Sequence, residues 1–387
     1  MEIILLYFLA FLALLIGVAF VVMALSESIS IRWVYYHYFI RKPVNWTIFI
    51  IVFGWVIWIT NEANVFPIWS IGPMAITGLA LVLTHKLHAE SAFRAVDFPN
   101  IAVDVTSLPL DDQMQMAVIE YQSVTKCFPL DYVVHHHIIN DQFGDKTVAL
   151  TYCALCRSII PFDVTDIGPL FVAAMKNGNM IVADRKTKTF FQQGTFQSVI
   201  GRLHPAELKM IPFQILSWSE VKRTIHDPKV VQVSPDDFRA FQLPIPGIWN
   251  RIMKTEFTPG LSSNNRDKSF PARTPVIGVI DETIADSIFY LKQEVLDNKL
   301  VINEEFGFFL VGRNDQVAAF RDSINGSQLV AEFENSEIID MNTQTHWDIR
   351  GKYLNGPLKK DLEIVAISDE YWFAWKKFHQ DSRLLRL

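Results

Sequence analysis

The sequence predicts an α+β fold in which about three transmembrane helices precede a β-dominated soluble region built from two related repeats. Three observations carry that expectation. Half of the 387 residues are hydrophobic and only 20% are charged, and the long uncharged runs all lie before residue 95. From there on, charges are interspersed with short segments that alternate or carry β-branched residues, the pattern of half-buried strands. The later part of the chain also echoes itself, the stretch that starts at Asp184 returning at Asp340, 156 residues on.

Residues 3–25 form an uncharged run of 23 residues, enough as a helix to cross a hydrocarbon core of about 30 Å. It lacks the basic start and small-residue cleavage pattern of a signal peptide, so it reads as a retained span. Residues 46–60 and 65–84 follow as two further runs, joined by a connection whose only charge is Glu62, and read as a helical hairpin in the bilayer. The first of these is short for a span at about 1.5 Å per residue, with Trp46, Trp55 and Trp58 as interfacial anchors. Pro67 and Pro73 fall in the other, where neighbouring helices would satisfy the carbonyl groups that a proline frees. Arg32, Arg41 and Lys42 lie before the second run, Lys86 and Arg94 after the third. By the positive-inside rule both segments, and everything after about residue 90, face the cytoplasm. Residues 1–94 are therefore expected to be the transmembrane region of a multi-pass protein of the cell membrane, with the lipid bilayer as partner.

The repeat divides the remainder. DRKTKTFFQQGTFQSVIGRL, from Asp184, parallels DMNTQTHWDIRGKYLNGPL, from Asp340, with Thr187 and Thr189 on Thr343 and Thr345, and Phe191 on Trp347. Residues 208–226 parallel 362–379, each an apolar stretch followed by a Trp-bearing helical pattern, and residues 127–141 parallel 288–304. Three echoes in one order point to a duplicated unit. Pro, Ser, Asn and Gly cluster over residues 259–275 and mark the linker, giving a first repeat over 95–264 and a second over 265–387. Each reads as a short helix, a series of strands, a turn-rich segment and a closing helix.

The chemistry concentrates in the first repeat. Cys153 and Cys156 put two soft ligands on one turn, and His135, His136 and His137 lie just upstream, where a short helix gives way to a strand. Adjacent strands lie about 4.8 Å apart, so the helix end and the cysteine turn are placed to meet at one rim of a sheet. Cys153, Cys156 and His136 would then suit zinc or copper. The same Cys-x-x-Cys spacing serves reversible disulfide formation. Pro161, Ile159 and Ile160 follow it, which makes the next element a strand and argues against a thioredoxin arrangement. A buried structural turn is the third use of the pair. The matching stretches of the second repeat have neither Cys nor His, so one copy is chemically equipped and the other is structural; the cleft between them is a natural ligand site.

The sequence resembles a family of bacterial membrane-associated and exported proteins, the domain of unknown function 3179 family. The resemblance rests on LTYCALC at residues 150–156, DRKTKTFFQQG at 184–194 and YWFAWKKFHQ at 371–380, with His136 ahead of the Asn140–Asp141 pair. It departs from the family pattern at Ala154, where Pro is usual, at Phe191, where Trp is usual, and in the extra histidines beside His136. The resemblance implies no reaction.

Asp184, Arg185 and Gln193, on the second of these motifs, are candidates to orient a polar ligand or cofactor, against the reading of a hydrogen-bonded turn. His346 beside Trp347 reads as a packed surface residue, and the aromatic helix at 371–379 as core. No P-loop, Rossmann glycine pattern, His-Glu-x-x-His or nucleophile elbow is present. A net charge of −6, with no basic run interleaved with aromatics, speaks against nucleic acid. Two functions follow from these residues: a membrane-anchored metal-binding or thiol-redox protein, working beside another membrane protein, and a noncatalytic binding module in which the cysteine turn only shapes the fold.

Overall fold

The uncharged runs are helices in the computed structural model, which describes residues 2–233, 251–281, 284 and 287–387. Residues 234–250 of the expected first repeat, and 282, 283, 285 and 286 of the second, lie outside the described residues. Helices α1 (Glu2–Leu25), α2 (Ile31–Ala63) and α3 (Ile71–Lys86) are each, α3 together with the short turn Ile68–Ser70, long and apolar enough to cross a membrane. They pack through small residues: a Cβ on Gly17 of α1 would come within 3.0 Å of the Ala80 carbonyl of α3, a close approach typical of helices in lipid.

The middle helix is longer than the expected span of 46–60, which lies within it. Its 33 residues amount to about 50 Å, well beyond the bilayer core, and it starts where the Ser30 hydroxyl accepts from the Arg32 amide. Arg41, which ends the uncharged run in the sequence, does not end the helix. Its guanidinium is buried, donating to the Tyr38 carbonyl and, at 3.5 Å, to the Glu90 carboxylate. About twenty residues suffice for a span, fewer than the 33 of α2. The prolines also sit differently from expectation. Pro67 precedes the helical turn and Pro73 lies in the first turn of α3, where an amide has no intrahelical acceptor to lose.

A short helix, α4 (Ala89–Ala92), leads into two copies of one fold. In the first, a sheet runs in the order Gln214–Ser217, Gln115–Tyr121, Val124–Pro129, Lys229–Val230. In the second the order is Ile367–Tyr371, Pro275–Val279, Ile288–Leu291, Arg383–Leu384. Both sheets are antiparallel except for the last pairing, which is parallel in each. Helix α5 (Leu130–His136) leaves the first sheet and α6 (Trp218–Thr224) follows its outer strand; α7 (Lys292–Asn298) and α8 (Trp372–Phe378) do the same in the second. Even the caps agree, since α5 and α7 both end on a residue with φ 63°, His137 and Lys299.

Between these helices each copy inserts a three-stranded antiparallel unit, Ile138–Phe143, Lys146–Cys153 and Ser158–Asp163 in one and Leu300–Asn303, Phe308–Arg313 and Gln316–Arg321 in the other. A four-stranded meander follows in both, in the second copy after a short hairpin, Ser323–Ile324 with Ser327–Gln328. The meander of the first copy rests on the helices: Phe171, Ala173, Ile181 and Phe190 share a core with Val34, Phe20, Tyr35 and Tyr38. The ends of α1 and α2 are thereby part of the domain, and their connecting loop is held by Lys176, which donates to the carbonyls of Ser26 and Glu27, and by the Lys377–Glu27 ion pair at 2.7 Å.

Candidate functional site

The cysteine turn closes the hairpin Lys146–Cys153/Ser158–Asp163. It brings the two sulfurs to 3.1 Å, fully buried in a core that also holds Met180, Phe191, Leu261, Phe373 and Ala374. A polar network runs through this otherwise apolar place. The Asn179 side-chain amide donates to the Cys156 sulfur at 3.1 Å and to Gln193 Oε1 at 3.2 Å; its own oxygen accepts from Gln192 Nε2 at 2.6 Å and the Gly194 amide at 3.0 Å. Gln193 in turn accepts from Ser158 at 3.1 Å and donates to Thr151 at 3.0 Å. The Cys156 thiol donates to the Gly178 carbonyl at 3.1 Å. Each polar atom named here has a partner, as burial demands.

The two sulfurs are electrostatically unequal. Burial pushes the Cys153 thiol up, but the contact with Cys156 and the amides of Cys156, Leu155 and Met180 outweigh burial and hold it below its ordinary value. Cys156, buried beside that developing charge, is pushed well above its own, and the Glu370 carboxylate adds to the effect. Glu370 is itself buried, hydrogen-bonded to the Ser368 hydroxyl at 2.8 Å, and burial pushes its carboxyl up to about 7. The third cysteine stands apart: Cys127 lies in another core, pushed up to about 12 by burial.

The second copy supplies one wall. The amide of Tyr371 donates to the Cys156 carbonyl at 2.9 Å, which ties the outer strand Ile367–Tyr371 to the cysteine turn. Next to it, Arg157 pairs with Asp315 at 3.3 Å and Asp369 at 3.6 Å, and Lys292 with Asp369 at 2.7 Å and Asp315 at 3.2 Å. Of these four charges Arg157 reaches across from the first copy, to two carboxylates that Lys292 holds within the second.

The expected three-ligand set is not assembled. The His136 ring bonds to the Arg94 carbonyl at 3.0 Å, and among the described residues no group of three or more His, Cys, Asp or Glu is placed to hold a metal ion. The reason lies in the helix end: His136 is the last residue of α5 and its ring turns to the Arg94 carbonyl, while the next residue, His137, is the one whose carbonyl accepts from the Tyr152 amide at 2.7 Å. It is His137 that lies at the rim of the sheet, stacked on Phe93 and pushed down to about 4 by burial. Of the ligand candidates, Gln193 joins the thiol network. Asp184 does not: its carboxylate is used within its own turn, accepting from the amides of Lys186, Thr187 and Thr189. Arg185 pairs with Asp97 at 2.9 Å, and His346 bonds to Glu337 at 2.8 Å. Between the copies lies a cavity of 380 Å³ lined by Val118, Gln214, Arg350 and Lys352 among others, and the cysteines are not part of it. Asn179, Glu370 and Ser368 were not singled out from the sequence; no motif spacing marks them, because Asn179 comes from the strand Asn179–Asp184 and the Ser368–Glu370 pair from the strand Ile367–Tyr371 of the other copy.

Residues 92–382 match the family described as Protein of unknown function (DUF3179), and the chain belongs to that family. No curated protein and no solved structure matches it.

Proposed function

We propose that this member of the DUF3179 family is a membrane-anchored dithiol–disulfide protein whose working groups are Cys153 and Cys156. The observation that carries this reading is the sulfur–sulfur contact of 3.1 Å with one sulfur favoured as thiolate and the other as thiol. That is the state from which a Cys-x-x-Cys pair is oxidised, since a lowered thiolate is the nucleophile in exchange. Asn179 donating to Cys156 and the amides donating to Cys153 hold negative charge on sulfur during the step. Two sulfurs with no third His, Cys, Asp or Glu grouped with them among the described residues support redox use over a zinc site, which takes four ligands when structural. The three apolar helices serve as the anchor. The basic residues Arg32, Arg41, Lys42, Lys86 and Arg94 lie toward the soluble region and favour the cytoplasmic side for it. A division of that region at residues 264 and 265 is part of the proposal, supported by the matched strand order of the two sheets.

The test is a redox titration of the full-length protein in detergent, with thiols counted by mass spectrometry. Cys153 and Cys156 are expected to titrate together as one two-electron couple while Cys127 stays reduced, and a Cys153→Ser/Cys156→Ser variant to keep its fold and lose the couple. A second reading, a structural turn in a noncatalytic binding module, is favoured by the complete burial of both sulfurs. A pair that stays reduced under strongly oxidising buffers, with the double variant losing most of its stability, would establish that reading instead. Stoichiometric metal bound to the wild type and lost in the variant would replace both.

A further inference from the structure

A second cavity, of 330 Å³, is walled by Asn265, Arg266, Asp267, Lys376 and Lys377, the last paired with Glu27 at 2.7 Å, and floored by Leu261 and Phe373. Both floor residues belong to the core that contains Cys153 and Cys156. The link to the sulfurs is short. Cys156 donates to the Gly178 carbonyl, and a Cβ built on Gly178 would come within 3.0 Å of the Phe373 ring. One aromatic side chain thus reaches from the cavity floor to the residue that holds Cys156.

We propose that this cavity is the entrance through which a small, amino-acid-type disulfide, carrying both ammonium and carboxylate groups, reaches the thiol pair when the Phe373 ring swings aside. The inference rests on the dithiol reading above. The wall chemistry selects the substrate class. Arg266 is already paired with Glu256 at 2.9 Å, whereas the Lys376 ammonium donates to the Ser382 carbonyl at 3.4 Å, lies over the Trp372 ring and sits in the field of Asp267, a position from which it can also take a carboxylate. Asp267 offers the opposite charge for an ammonium, and the Asn265 carboxamide fits a peptide-like group. The size lies at the lower end of the range of small-molecule sites. In the step, the Cys153 thiolate attacks one sulfur of the disulfide; that S–S bond breaks and one thiolate leaves. Cys156 gives up its proton and attacks the Cys153 sulfur of the mixed disulfide, and the second half leaves as a thiol with that proton. Two electrons pass from the pair to the small disulfide, and the charge is conserved.

The experiment compares two oxidants on the full-length protein in detergent: oxidised glutathione, which carries ammonium and carboxylate groups, and uncharged dithiodipyridine. The readout is the rate at which the Cys153–Cys156 thiols disappear. Lys376→Glu is expected to slow oxidised glutathione by about tenfold, the loss of roughly one charge-assisted hydrogen bond, and to leave dithiodipyridine within about twofold of wild type. Phe373→Leu is expected to speed both. If Lys376→Glu alters neither rate, or both equally, this route is overturned while the dithiol reading stands. If neither oxidant closes the pair in the wild-type protein, the dithiol reading fails and takes the route with it.

Discussion

Two hairpin turns occupy equivalent places in the two copies, and they have been put to different ends. In the second copy the turn between Phe308–Arg313 and Gln316–Arg321 is two residues, Asn314 and Asp315, both at positive φ, 46° and 59°. That is the tight connection whose twist suits paired strands. It docks on the closing helix of the first copy, where Glu220 Oε1 accepts from Asn314 at 3.2 Å and from the Arg313 guanidinium. In the first copy the turn is longer, Ala154 to Arg157, and docks on the closing helix of the second copy. Trp218 and Trp372 open the two helices; two residues further on, Glu220 of one corresponds to Ala374 of the other. The small Ala374 side chain packs in the core with the sulfurs, in the place that corresponds to the carboxylate. Duplication supplied one frame twice, with an ionic lock at one turn and a thiol pair at the other.

Exchanging the two solutions should break the molecule. Ala374→Glu would bury a carboxylate in the core of the sulfurs, Phe373 and Met180, and burial of a charge in an apolar core is among the costliest single changes. The expected loss is above about 4 kcal/mol, read as a large drop in melting temperature or failure to accumulate folded protein. A variant as stable as wild type would refute the idea that this position is kept small for the sulfurs. The reverse change, Glu220→Ala, leaves the largely buried Arg313 without its partner and should cost about 3 kcal/mol. A loss below about 1 kcal/mol would show that the lock is screened like a surface pair.

A third difference separates the outer strands. Two residues before the helix, the first copy has Leu216 and the second Glu370. The folded-state carboxyl sits at about 7 against an ordinary value of 4.5, so between those values the folded protein binds a proton that the unfolded chain has released. Stability must then fall as pH rises from about 4.5 to 7 and level off above, by about 3 kcal/mol in all. Glu370→Gln keeps a partner for the Ser368 hydroxyl and removes the titration. Denaturant unfolding at pH 4.5 and pH 8 is expected to show a gap between the two pH values that is about 3 kcal/mol smaller for the variant than for wild type. An unchanged gap would mean that Glu370 is solvated or paired at neutral pH.

How much of this was legible in the sequence depends on whether a feature is carried by neighbours in the chain. The cysteine turn and the short helix before it lie where the pattern placed them. The Asp184 turn and its echo at Asp340 were visible because the same side chains recur: Thr187 bonds to Thr189 at 2.7 Å and Thr343 to Thr345 at 2.8 Å. In both turns a Cβ on the following glycine, Gly201 or Gly356, would strike the second threonine's Cα at 2.5 Å, and both glycines sit at positive φ, 128° and 115°. The thiol surroundings were hidden for the opposite reason. Gln193 sits on a motif the sequence shows, but Asn179 and Glu370 come from strands of different copies that only the folded sheets bring together, so no local spacing records them. The start of α2 was hidden by its own charges, because a buried Arg41 reads as a loop until Tyr38 and Glu90 are seen around it. The surroundings of His136 were hidden because it is the last residue of a helix, and spacing along the chain does not tell which way the final helical turn presents its ring, here to the Arg94 carbonyl.

The smallest expected effect tests whether the two turns depend on each other where they meet. Asp315 belongs to the tight turn of the second copy yet faces Arg157, the last residue of the cysteine turn, and Lys292 at the start of α7. Its side chain is 63% exposed, whereas Lys292 is almost fully buried and keeps Asp369 at 2.7 Å. Asp315→Asn should therefore cost at most about 1 kcal/mol, the range of exposed pairs, and less at high salt. Its value is in a second readout, the midpoint of the Cys153–Cys156 titration. If the turns are mechanically independent, with Asp369 alone holding Arg157 and Lys292, the midpoint stays put. A shift in the midpoint at unchanged stability would mean that the second copy, though it carries no thiol, tunes the one that does.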